Sequence, residues 1–200
     1  MAHAGVPRRA IRRLGLRAAA ALVRNGSPDT ARLVIFELLR GRYHDERLLG
    51  LEILDRLCDI WRDWATEMVA VISRDLRHPW TADRLARIQG RLLARGGSLM
   101  ARHVPWALSP NPMRRRIAVA SLLPHRGPRG SRGVPIARAI PILRLLLDDP
   151  EPHPWIRPIL GRALVHYAGR APRTIARLLA GRPANLDARH LERTRRLLEG

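Results

Sequence analysis

Apolar positions recur along this chain at the three-and-four spacing of helices, and no stretch alternates with the period of two that a half-buried strand requires. β-Branched and aromatic residues are sparse. The pattern predicts helices over 7–24, 28–40, 44–60, 63–77, 80–95, 98–108, 112–123, 135–147, 154–169, 172–180 and 187–198. Ser27-Pro28 and Asn111-Pro112 each set a capping side chain ahead of a proline at the first helical position. Asn25-Gly26 and Gly96-Gly97 read as stops. Short helices joined by tight turns predict an all-α fold, a right-handed α-solenoid of helical hairpins paired as 28–60, 63–95, 98–123, 135–169 and 172–198. An irregular helical bundle is the alternative architecture. His125–Pro135, rich in Gly, Pro and Arg, cannot continue a helix and reads as a basic loop.

Composition sharpens the picture. Two hundred residues, 46% of them apolar, suffice for one domain spanning 1–200. The net charge is +20, and all 37 basic residues are arginine. Residues 37–83 carry ten acids against seven arginines, whereas 84–200 carry six against 23. Arg84–Leu147 holds 13 arginines and no acid at all, so Asp83 is the last carboxylate before a long cationic run. Such a surface suits a polyanion: nucleic acid first, then an acidic protein, then an anionic membrane face. Cys58 is the only cysteine, which excludes a disulfide framework, a cysteine-held zinc and an iron–sulfur cluster, and fits a reducing cytosol. No apolar run approaches the roughly 18 residues of a membrane span. Met1–Leu22 is arginine-rich, but its apolar part is broken by Arg17, so an amphipathic helix is expected there rather than a secretory signal.

Few residues offer chemistry. Trp80 and Asp83 lie three apart and share a helical face. They can serve a site, or simply place a core tryptophan and an acid that complements the helix dipole. Arg114-Arg115-Arg116 falls in the first turn of a helix, where the dipole disfavours cations, and so asks for an anion such as phosphate. The plain reading buries Met113, Ile117 and Ala120 and leaves the arginines in solvent. Trp106 and Trp155, beside prolines and apolar residues, are expected in the core. Asp148-Asp149-Pro150-Glu151 reads as a solvated turn. The eight histidines show no metal-binding spacing, so no metal is expected, and neither a Gly-rich phosphate loop nor a nucleophile elbow occurs.

Four segments in order resemble the HEAT-like-repeat DNA alkylation repair family, the AlkD-type DNA glycosylases. His44-Asp45-Glu46-Arg47 with Leu51-Glu52-Ile53-Leu54 is similar to an early helix of that family. His78-Pro79-Trp80-Thr81-Ala82-Asp83 resembles its Trp-Asp-x-x-Asp active-site motif, with the Trp-to-Asp spacing one residue shorter. Trp106-Ala-Leu-Ser-Pro-Asn111-Pro-Met-Arg-Arg-Arg116-Ile-Ala-Val resembles Trp-x-x-Ser-x-Asn-x-Trp-x-x-Arg-Ala-Ala. Gly161-Arg-Ala-Leu-Val-His-Tyr167 resembles Gly-Trp-x-Leu-x-x-Tyr, with Arg162 where the family has its second active-site tryptophan.

The resemblance implies HEAT-like hairpins and a cofactor-free glycosylase that removes 3-methyladenine or 7-methylguanine type bases. Asp83, Trp80 and Arg116 would be its catalytic-site residues. Arg91, Arg114, Arg115, Arg126, Arg129, Arg132 and Arg162 are expected to hold duplex DNA. With no lysine, a Lys Schiff base cannot form and a monofunctional enzyme is expected. A monomeric, cytoplasmic, nucleoid-associated bacterial protein without membrane attachment completes the expectation. The competing readings are a non-catalytic helical module binding DNA or RNA, and a scaffold gripping an acidic protein.

Overall fold

A computed structural model describes residues 5–96, 99–125, 133–149, 153–180, 186 and 188–199, and every regular element among them is helical. The elements are α1 (Arg8–Asn25), α2 (Pro28–Arg40), α3 (His44–Leu57), α4 (Arg62–Ile72), α5 (Pro79–Arg95), α6 (Leu99–His103), a 3₁₀ turn (Val104–Leu108), α7 (Pro112–Ala120), α8 (Ile136–Leu147), α9 (Arg157–Ala168), α10 (Pro172–Leu179) and α11 (Ala188–Glu199). The chain is all-α, as its periodicity predicts. It forms two compact units, Met1–Ile72 and Ser73–Gly200.

In the first unit α1 and α2 both pack on α3. Ile11, Ile35, Leu51, Leu54 and Met68 are buried there. The Ser27 hydroxyl accepts the Thr30 N–H at 3.2 Å, which is the cap its position predicts. Glu46 accepts the Tyr43 N–H at 2.8 Å and closes the start of α3. Glu52, buried in α3, takes its charge partner from Arg56 at 2.9 Å.

In the second unit α5, α7, α9 and α11 pack in succession, each against the next. The 3₁₀ turn lies against α7 and α8, and α10 against α9. Two glycines permit the closest crossings. A β-carbon on Gly90 would come within 2.7 Å of the Ser121 carbonyl oxygen, and one on Gly161 within 2.6 Å of His190 Cβ. Glycine inside a helix costs about 1 kcal/mol relative to alanine; here the close approach of neighbouring helices offsets it.

Element ends depart from expectation in instructive ways. Gly26 and Gly96 do end their helices, but in extended rather than left-handed conformation. The helix predicted over 63–77 stops at Ile72, because the Arg74 and Leu76 carbonyls turn outward to accept from the Asn111 side chain. The helix predicted from 154 begins at Arg157, since His153–Ile156 closes a turn of its own. The 125–135 loop lies outside the described residues over 126–132. Its base is cinched: the Val134 N–H donates to the Leu122 carbonyl at 2.9 Å, and the buried Tyr167 hydroxyl reaches both the Val134 (2.8 Å) and Leu122 (3.1 Å) carbonyls.

A polar knot sits inside this unit. His103 is 1% exposed, with Nε2 at 2.7 Å from Ser121 Oγ and 3.2 Å from the Ala118 carbonyl, and Nδ1 at 3.4 Å from Gln89 Nε2. A carbonyl can only accept, so Nε2 carries the proton and Nδ1 accepts from Gln89. Burial pushes the imidazole down to about 4, against the backbone bond to Ala118 and with help from Arg114. A depressed folded-state value means that neutral His103 supports the fold above pH 6.5, and that this support fades as pH falls towards 4. The contribution is about 3 kcal/mol over that window. Urea denaturation of wild type is therefore expected to show stability dropping between those pH values. A His103→Gln variant is expected to be less stable at pH 7.5 yet flatter in its pH dependence. Equal pH slopes for the two proteins would contradict the assignment.

Candidate functional site

Helix α5 opens with Pro79 at its first position, preceded by His78 in extended conformation. Ala82, Leu85 and Ala86 turn into the core, which leaves Trp80 half-buried and Asp83 half-exposed on the remaining face. Helix α7 opens with Asn111, whose Oδ1 accepts the Met113 N–H at 2.8 Å. Its Nδ2 donates to the carbonyls of Arg74 (2.8 Å) and Leu76 (3.2 Å). One side chain thus caps α7 and holds the turn that leads into α5.

The arginine triplet in the first turn of α7 finds its partners within the chain. Arg116 grips Asp83 through two parallel bonds, Nε to Oδ1 and Nη2 to Oδ2, both 2.8 Å. Its Nη1 donates to the Trp155 carbonyl. Arg115 donates to Asp149 at 2.8 Å, with both side chains mostly covered. Arg114 lies over the Trp106 ring, 4.8 Å from its centroid. The guanidinium of Arg114 is held below its ordinary value by partial burial and by the nearby charge of Arg74.

Three expectations change here. Asp149 is an ion-pair partner rather than part of a solvated turn. Trp155 is 43% exposed rather than core, because it precedes α9 instead of lying in it. Arg91, expected to meet phosphate, is 2% exposed and offers no surface to it. Trp106 is buried as expected. Arg126, Arg129 and Arg132 lie outside the described residues.

His125 brings further groups to Asp83. Its imidazole is pushed down to about 4, first by burial and then by Arg87, with Arg162 acting in the same sense and Asp83 opposing. Asp83 and Arg87 of α5 and Arg162 of α9 therefore share one electrostatic neighbourhood around a neutral histidine. Arg162 itself is exposed, next to the buried Gly161. No sequence motif marks His125; only the close packing against Gly90 discloses it.

Beside this cluster is a cleft of about 340 Å³ whose lining includes Arg74, Asp75, Arg77, Asn111, Met113 and Trp155. Among the described residues, no group of three His, Cys, Asp or Glu side chains is placed to hold a metal, and no helix is long and apolar enough to cross a membrane.

Helices packed in succession, with a charged pair bridging two of them, make this an all-α protein. The model of a family described as DNA alkylation repair enzyme matches residues 2–193, and the chain belongs to that family. A similar solved structure is AlkD2 from Streptococcus mutans, 16% identical, with a TM-score of 0.63 over 94% of this chain and 88% of that one. That likeness concerns the fold. No curated protein matches the sequence.

Because Asn111 satisfies one backbone donor and two backbone acceptors, Asn111→Ala is expected to lower stability by about 1–2 kcal/mol. The midpoint of thermal unfolding is expected to fall by several degrees. A change within the error of the measurement would show that the turn stands without it.

Proposed function

We propose that the protein is a DNA glycosylase that hydrolyses the N-glycosidic bond of cationic alkylated purines in duplex DNA, with Asp83 as its catalytic carboxylate. The reading is carried by one observation: a carboxylate that is 45% exposed, held in fixed orientation by a guanidinium that is 13% exposed. Family membership and an acid-free arginine run support it.

The chemistry follows from where charge develops. As the base departs, its bonding electrons go with it and positive charge grows on the sugar. A preorganised carboxylate opposite that carbon stabilises the cation and orients the attacking water. Arg116 occupies one edge of Asp83 and leaves the remaining lone pairs for this purpose. Trp80 presents a ring face, one helical turn before Asp83, to a base that is already cationic. Exposed arginines, Arg162 among them, would hold phosphates, with affinity falling steeply as salt rises. The protein would act as a monomer.

A second reading, a non-catalytic DNA-binding relative, is favoured by Arg162, which stands where the family resemblance implies a second aromatic. Base release separates the two. Wild type incubated with methylated duplex DNA is expected to release free methylpurines, and Asp83→Asn to do so roughly 10²–10³-fold more slowly while still binding. Salt-dependent binding by both proteins, with no release by either, would leave the non-catalytic reading.

A further inference from the structure

Helices α8 and α10 contribute no side chain to the site at Asp83, yet between them lies a cleft of about 290 Å³. Both helices pack against α9, and the cleft separates them. Ile140 and Arg144 line it from α8; Thr174, Arg177 and Leu178 line it from α10. Spacings of three and four place each set on one face of its helix. Leu178 is 5% exposed and forms the deepest part, with Ile140 and Thr174 half-buried beside it. Arg144 and Arg177, one from each helix, are exposed. The cleft therefore has an apolar centre and a cation on either side.

Charge decides what can cover it. No acid is among the lining residues, and the sequence holds none between Glu151 and Asp187. Asp148, one turn past Arg144, lies outside the lining. Among the described residues neither guanidinium meets a carboxylate; the Arg177 Nε donates within its own helix, to the Arg173 carbonyl at 3.4 Å. An apolar centre bounded by charge is the build of a protein–protein contact. Nucleic acid fits it less well: the lining has no aromatic ring on which a base could stack, and phosphates gain nothing from a leucine and an isoleucine. A groove between two helices, with anchors one turn apart along each, suits a third helix laid into it.

We infer that the α8–α10 cleft docks an acidic helical segment of a partner protein. An apolar side chain of that segment sits on Ile140 and Leu178, and carboxylates on the turns to either side meet Arg144 and Arg177. The inference stands whether or not Asp83 supports base release, because none of these residues belongs to that site.

The test uses two labelled synthetic helical peptides at about 0.15 M ionic strength, where weak long-range attraction is screened. One carries a leucine with glutamates three and four residues to each side; the other has serine in place of the leucine. Wild type is expected to bind the leucine peptide about tenfold more tightly than the serine peptide. Arg144→Gln with Arg177→Gln is expected to lose about tenfold on the leucine peptide. Arg9→Gln with Arg12→Gln, which removes the same charge from an exposed face of α1, is expected to change it little. Equal binding of the two peptides would reduce the contact to general charge attraction and overturn the inference, as would equal losses in the two double variants. A loss of duplex DNA affinity in Arg144→Gln with Arg177→Gln, with peptide binding intact, would make the cleft a nucleic-acid surface and overturn it too.

Discussion

Positive charge near the start of a helix works against the dipole, and α7 carries three arginines directly after its opening Pro112-Met113. The second unit is arranged so that each finds compensation elsewhere in the chain. Asp83 comes from α5, Asp149 from the segment just after α8, and the Trp106 ring from the 3₁₀ turn. The bidentate Asp83–Arg116 pair is the strongest of these in geometry, and a further bond to the Trp155 carbonyl extends it to the segment before α9. Three stretches distant in sequence are thereby fixed around one guanidinium. The pairing also answers the question that an isolated acid next to a cationic run raises. Asp83 is held in place yet half-open, which is the state a preorganised carboxylate requires.

The same economy runs through the packing. Helices α5, α7, α9 and α11 succeed one another, and glycines at 90 and 161 let neighbouring chain segments approach to distances no other residue allows. Close crossings bring side chains of α5 and α9 into reach of the same histidine after α7. Around His103 both ring nitrogens and the Ser121 hydroxyl find hydrogen-bond partners, which a low-dielectric interior favours.

Much of this is legible in the sequence, for definite reasons. Helix starts at Pro28 and Pro112 were readable because a capping side chain followed by proline is a local signal, decided within four residues. The all-α class followed from periodicity, and the family from the order of its motifs. What escaped reading depends on partners far along the chain. Asp149 meets Arg115 across 34 residues, and Asn111 reaches back 37 residues to Arg74. Trp155 looks like a core residue by composition and is exposed because Arg157 rather than Pro154 begins the helix. Arg91 belongs to the cationic run yet is buried, since α5 turns it to the inside. Local chemistry sets where helices begin; which face of a helix is covered is a tertiary matter.

On the proposed glycosylase reading, Asp83 and Arg116 act as one unit, the arginine orienting the carboxylate that stabilises the positive charge on the sugar as the base departs. A double-mutant cycle on methylpurine release tests it most directly, using wild type, Asp83→Asn, Arg116→Gln and the double variant. Each single variant is expected to lose most of the rate, and the double variant to be scarcely worse than Asp83→Asn alone. Losses that multiply in the double variant would mean that the two residues work independently, and the claim would fall.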